Sequence, residues 1–277
     1  MSTLDSRIGS AGSGVTREIR DALGALAKTR TLLVALDFDG TLAPAVDDPA
    51  MARALPEARA AVLRLASLPD TRVALVSGRA MDSLEEVADV PDEILLVGSH
   101  GIELRLDNPD DAFTLDEDEQ ARLGMLGEVL DQVADSVEEV WVEAKPAGFA
   151  LHTRLATDKD SRIAHLVALS EAQAEVDDLT VRHGKDVLEF SVRSTTKGEA
   201  VEHLRRYTKA TAVFYAGDDV TDEDAFAALN SADLGVKSGA GPTVADHRVD
   251  GPESVAHVLT LLATLRETWA DEHPQSN

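Results

Sequence analysis

Apolar segments of strand length, each followed by a helix-patterned stretch, recur towards both ends of the chain, and two of them terminate in paired aspartates. This pattern predicts an α/β fold, a Rossmann-like doubly wound parallel-sheet core carrying an inserted α+β domain. The insertion is marked by a change of rhythm after Leu104, from single strands between helices to consecutive strands.

Residues 1–30 comprise a Gly-Ser-rich tail, flexible by composition through residue 14, and a helix over Glu18 to Lys28. The first part of the core, residues 31–104, starts with a strand at 31–36. A helix from Pro56 to Ser67, a strand at Arg72 to Val76, a helix from about Ala80 and a strand at Glu93 to Val97 follow. Residues 105–194 form the insert: an acidic helix near 116–138, strands at 140–145 and 149–155, a helix at 158–176, and strands at 179–185 and 187–193. In the core's second part, residues 195–277, a helix spans Glu199 to Lys209, a strand Ala212 to Ala216 and a helix starts at Thr221. A strand at Leu234 to Lys237 and a helix from about Pro252, where proline suits the first turn, complete the pattern.

Period-two alternation splits the insert's strands into two faces. Leu151, Leu155, Leu188, Phe190 and Val192 make one apolar; Glu143, Lys145, His152, Arg154, Glu189 and Arg193 make the other polar. The residues alone leave open whether that polar face meets water or a ligand.

Composition narrows the function classes. A 277-residue chain with ordinary apolar content can bury a sizeable core. A formal charge of −25 opposes sequence-independent binding to nucleic acid. The absence of cysteine excludes disulfides, thiolate metal sites and thiol nucleophiles, and fits a reducing cytoplasm. No run approaches bilayer-spanning length and no basic-then-apolar leader opens the chain, so a cytoplasmic protein without membrane contact is expected, a monomer or small homo-oligomer.

Four predicted strand tips carry suggestive residues: Asp37-Phe38-Asp39-Gly40-Thr41, Ser77-Gly78-Arg79, Gly98-Ser99-His100-Gly101 and Gly217-Asp218-Asp219. Ligands of doubly wound sheets sit beyond the carboxyl ends of the strands. Two acids ending a buried strand need a cation, a shared proton or a reacting group to offset repulsion and lost hydration. Asp37 suits a nucleophile that forms an aspartyl phosphate, and Asp39 an acid for the leaving oxygen and then a base for water. Thr41 and the turn N–H groups suit phosphate oxygens. Asp218 and Asp219 suit a hard cation such as Mg²⁺. Ser77 suits either a phosphate or a capped helix start, and Lys197 either charge balance at the site or a solvated surface. Thr221 with Glu223 and Asp224 fits a helix N-cap and acidic first turn, and Asp222 fits either role. The chain contains neither a dinucleotide-binding G-x-G-x-x-G after the first strand nor a Walker loop.

These motifs, together with Ile102-Glu103 after the third tip and Glu143-Ala144-Lys145 in the insert, resemble the haloacid-dehalogenase-type phosphohydrolases and, more narrowly, the trehalose-6-phosphate phosphatases, over about residues 31–260. The resemblance implies Mg²⁺-dependent hydrolysis of α,α-trehalose 6-phosphate through an aspartyl phosphate. Asp37 would be the nucleophile, Asp39 the acid/base, and Ser77 and Lys197 the phosphate-binding and charge-balancing groups. It also implies Mg²⁺ on the Asp37 carboxylate, the Asp39 backbone carbonyl and Asp218, with Asp219 and Asp222 nearby. The insert would be a cap closing over the sugar. Thr41, Ser77, Gly78, Arg79, His100, Glu103, Lys145, His152, Arg154, Arg182, Lys185 and Glu189 are the substrate-binding candidates. Glu189-Phe190-Ser191-Val192-Arg193-Ser194 departs from the Glu-x-Arg-Pro of many relatives, leaving two registers for sugar contact. With no glycosyltransferase-like segment ahead of the motifs, a stand-alone hydrolase is expected. A phosphatase of another sugar phosphate, a sugar phosphotransferase and an inactive sugar-phosphate-binding protein are the alternatives.

Overall fold

The computed structural model describes residues 15–46, 48–108, 115–184 and 186–273. The expected N-terminal tail and Lys185 lie outside the described residues. In chain order the elements are α1 (Arg17–Leu26), β1 (Leu32–Leu36), α2 (Pro56–Ala66), β2 (Thr71–Val76), α3 (Met81–Ala88), β3 (Leu95–Gly98) and β4 (Glu103–Arg105). Next come α4 (Glu117–Ser136), β5 (Trp141–Lys145), β6 (Gly148–His152), α5 (Asp158–Glu175), β7 (Thr180–Gly184) and β8 (Val187–Ser191). The chain ends with α6 (Lys197–Thr208), β9 (Ala212–Gly217), α7 (Asp222–Ala227), β10 (Leu234–Ser238), β11 (His247–Val249) and α8 (Pro252–Glu272).

Two compact units result, one from residues 1–109 and 196–277, the other from 110–195. The first holds a seven-stranded sheet of order β11-β10-β9-β1-β2-β3-β4, parallel except for the antiparallel edge strand β4. Its central strand β1 reads Leu-Leu-Val-Ala-Leu and is buried at every position because helices cover both faces. Leu32, Val34 and Leu36 pack with α1, α2 and α8, whereas Leu33 and Ala35 pack with α6 and α7. Each buried leucine of this kind contributes about 1.5–3 kcal/mol. Strand order reverses at β1: β2 lies on one side and β9 on the other, with Leu36 opposite both Leu75 and Ala216. A doubly wound sheet opens a crevice at such a switch point, and here the first and last acid motifs end adjacent strands there.

The fold differs from the sequence expectation at two edges. Strands β4 and β11 are three residues each and carry too little alternation to be read. Helix α6 begins at Lys197, because a reciprocal capping box between Thr196 and Glu199 starts it there. Thr221 makes no side-chain cap, which corrects its reading as a helix-capping residue.

The second unit packs α4 and α5 with a four-stranded antiparallel sheet of order β5-β6-β8-β7. Its register aligns Glu143, Ala150, Glu189 and Arg182 across one face. On the other, Phe149 meets Phe190, and its ring lies where a Cβ on Gly127 of α4 would fall. Leu155 and Arg154 lie past the end of β6, and Leu155 is 66% exposed, so neither belongs to the face assigned by alternation. Arg193 also leaves the polar face: its guanidinium pairs with Glu119, at the start of α4.

Candidate active site

The site builds from the tip of β1. The N–H of Asp37 donates to Ala216 O at 2.9 Å, carrying the β1–β9 ladder one residue past the strand and fixing where its carboxylate emerges. The chain then turns tightly: N–H groups of Leu42 and Ala43 both donate to Phe38 O, and Gly40 takes φ +75°. A Cβ at Gly40 would lie 2.0 Å from an Asp218 carboxylate oxygen, so only glycine lets this turn approach the acid loop. Ser238, ending β10, donates to Gly40 O at 2.8 Å from the other side.

Lys197 is the hub. Its Nζ donates to Asp37 Oδ1 at 2.6 Å and to Asp222 Oδ1 at 2.8 Å, and the lysine is 3% exposed. Asp222 is fully buried and engaged at both oxygens: Tyr215 donates its hydroxyl to Oδ1, while the N–H groups of Asp218 and Asp219 donate to Oδ2. Asp222 therefore shapes the acid loop while also opening the first turn of α7. Carboxylate atoms of Asp37, Asp218 and Asp222 lie within 4.8 Å of one another. Asp219 stands outside that group, exposed, its Oδ1 accepting from the Val220 N–H.

Such crowding shows in the acidities. Burial, reinforced by Asp222 and Asp218 and opposed by Lys197, lifts the Asp37 carboxyl from 3.8 to about 8. Burial, Asp222 and Asp219 raise Asp218 in turn, with a hydrogen bond from Asp37 opposing. Burial alone would lower Lys197, but the charges of Asp37 and Asp222 hold its proton and raise it. Carboxylates crowded this closely fit the donor set of a hard divalent cation.

The other tips converge within the same unit. Asp39 receives a two-pronged grip from Arg79, Nε to Oδ2 at 2.6 Å and Nη2 to Oδ1 at 2.7 Å, so Arg79 holds the acid/base candidate. Ser77 is buried and its Oγ accepts the Arg79 N–H at 3.1 Å in the turn ahead of α3, whose N-cap Ala80 has no side-chain cap, so Ser77 does not cap that helix. Glu103 likewise closes a local turn, its Oε2 accepting from Ser99 Oγ and the Met81 N–H at the start of α3. The His100 ring packs where a Gly78 Cβ would sit. Thr41 is different: its buried hydroxyl has no partner among the described residues, an unsatisfied donor beside the acids.

In the second unit, Glu143 accepts from Lys145 and shares a 2.8 Å hydrogen bond with His152 Nε2. Burial opposes, but these partners hold its carboxyl below the usual range. Arg182 reaches Thr195 O at 3.5 Å, and Glu189 is exposed.

Sequence reasoning missed Tyr215 and Lys237. Each is a polar-tipped residue inside an otherwise apolar strand, the signal that could have found them. Lys237 is buried, donating to Asp219 O at 3.2 Å with Glu223 3.3 Å away, so it braces the acid loop from β10.

The model of one protein family, described as trehalose-phosphatase, matches residues 35–260. The chain belongs to that family. Within this trehalose-phosphatase group it is 35% identical over 243 residues to the trehalose-phosphate phosphatase of Mycobacterium avium, covering 84% of this chain and 59% of that protein. It is 36% identical to the bifunctional trehalose-6-phosphate synthase/phosphatase of Thermoproteus tenax, covering 85% of this chain and 32% of that one. The chain thus spans three fifths or less of the length of these curated relatives. Among solved structures, the trehalose-6-phosphate phosphatase of Aspergillus fumigatus aligns with TM-score 0.65 and 26% identity, over 88% of this chain and 97% of that one. The C-terminal domain of the Candida albicans enzyme shares the fold at TM-score 0.65 and 23% identity, over 89% and 97%.

Proposed function

We propose that the chain hydrolyses α,α-trehalose 6-phosphate to trehalose and phosphate by two displacements at phosphorus. In the first, a carboxylate oxygen of Asp37 attacks phosphorus, the bond to the sugar oxygen breaks, and Asp39 gives that oxygen its proton. Trehalose departs and an aspartyl phosphate remains. In the second, Asp39 takes a proton from water as the water oxygen attacks phosphorus; the acyl phosphate bond breaks and Asp37 is restored. Asp39 must leave Arg79 to act, and the freed guanidinium is then available to phosphate. Lys197 keeps Asp37 oriented and offsets its charge, while Thr41 donates its unpartnered hydroxyl to a phosphate oxygen.

Mg²⁺ held by Asp37, Asp218 and the Asp39 carbonyl would supply a hard counter-charge for the phosphate oxygens. The observation that carries this reading is the buried Asp37 carboxylate, gripped by Lys197 beside Asp218 at the tip of the central strand. Sugar recognition falls to Glu143, Lys145, His152, Arg182 and Glu189, and the substrate is a small cytoplasmic sugar phosphate.

Phosphate release from trehalose 6-phosphate, with Mg²⁺ and with EDTA, tests the proposal beside a panel of other sugar phosphates. Release that requires Mg²⁺, favours trehalose 6-phosphate and vanishes in Asp37→Asn is expected. Preference for another sugar phosphate would overturn the substrate, and an active Asp37→Asn would overturn the covalent route.

A further inference from the structure

Trp141 opens the edge strand β5 and pairs with His152 in the register, so both side chains stand on the face that carries Glu143, Lys145, Glu189 and Arg182. The indole and imidazole rings stack with centroids 4.9 Å apart and planes 9° from parallel. The backing ring is itself held: His152 Nε2 bonds Glu143 Oε2, whose other oxygen accepts from Lys145. Trp141 is not needed by the apolar side of the sheet, which Phe149, Leu151, Leu188 and Phe190 supply from the opposite face. It stays 40% exposed, an indole presented outwards from a polar surface.

We propose that Trp141, backed by His152, is an aromatic platform for the C–H face of a pyranose ring and a specificity-determining residue for the disaccharide part of the substrate. A pyranose has an apolar face and a rim of hydroxyls. A flat indole at one end of the His152–Glu143–Lys145 chain matches both, the ring taking the C–H face and those mixed-sign groups pairing with donors and acceptors alike. A phosphate, by contrast, would meet the carboxylates of Glu143 and Glu189. The inference rests on the sugar-phosphate reading above and adds to it a residue outside the predicted recognition set.

The chain has two tryptophans, so Trp269→Phe leaves Trp141 as sole indole reporter. Titrating that variant with trehalose, which has no phosphate, is expected to change its emission saturably, and the change should vanish in Trp141→Ala/Trp269→Phe. In steady state, Trp141→Ala should raise KM for trehalose 6-phosphate about tenfold, about 1.4 kcal/mol. Trp141→Phe should restore most of it, and hydrolysis of p-nitrophenyl phosphate, which has no sugar, should change less than about twofold, under 0.5 kcal/mol. A folded Trp141→Ala protein with unchanged KM would overturn the platform, as would equal losses on both substrates. If the unaltered chain hydrolyses p-nitrophenyl phosphate but not trehalose 6-phosphate, the substrate reading fails separately. The sugar-phosphate panel titrated against Trp141 emission then decides the platform: a response supports it, and silence with every sugar phosphate overturns it.

Discussion

Lys197 replaced by methionine is the most informative single change, because methionine keeps the length and apolar stem and removes only the cation. Asp37 and Asp222 would be left buried without their shared cationic donor. Breaking a buried pair from one side costs about 3–5 kcal/mol. Lys197→Met is therefore expected to lower the chemical denaturation midpoint markedly and to eliminate turnover, whereas a stability close to the parent's would mean the carboxylates are neutral in the fold. Gly40→Ala isolates position from charge. The new Cβ meets backbone strain at φ +75° and an Asp218 oxygen at 2.0 Å, so the carboxylate has to move. A displacement of this size lowers turnover by about a hundredfold, which initial rates at saturating Mg²⁺ would measure.

Elements differed in how much of them the residues disclosed. Strand β1 was readable because burial on both faces demands a continuous apolar run, and its acid-rich tip violates that demand in plain view. Edge strands β4 and β11 were not, since short half-exposed segments obey neither period. The acid motifs were legible as a set, but the partition within them was not. Nothing local distinguishes Asp222, locked by Tyr215 and Lys197, from Asp218, which lies against Gly40; that difference arises from β9 and α6 meeting in three dimensions. Period-two alternation also failed where strands ended early, at Arg154 and Leu155. In the second unit, β6 and α5 are joined through Thr153, whose hydroxyl lies 2.7 Å from Ser161 Oγ and 3.1 Å from His165 Nε2. Burial, helped by nearby His183, lowers the His165 pKa from its ordinary 6.5. The native state thus prefers the neutral ring: its contribution is complete above pH 6.5 and is lost as pH falls through the folded value. Urea midpoints should fall on acidification below pH 6.5, and less steeply in His165→Gln; equal slopes in the two proteins would exclude His165 as the source.

For the whole molecule, the formal charge of −25 and the three-carboxylate cluster make two distinct claims on cations. Diffuse self-repulsion among surface acids is screened by any salt, with a Debye length falling from about 30 Å at 0.01 M to about 10 Å at 0.1 M. The cluster is local, and a cation bound there stabilises the fold by mass action, rising with the logarithm of concentration beyond the dissociation constant. Among the described residues no helix is long and apolar enough to cross a membrane. Thermal unfolding separates the two claims. Adding about 0.1 M NaCl should raise the midpoint through screening alone, and Mg²⁺ at matched ionic strength should add a further increment. Asp218→Asn removes one cluster charge of many, so it should leave the NaCl effect nearly intact and abolish most of the Mg²⁺ increment. Were both effects to survive that substitution together, Mg²⁺ would be acting as diffuse counter-charge and the acids at the tips of β1 and β9 would not be its site.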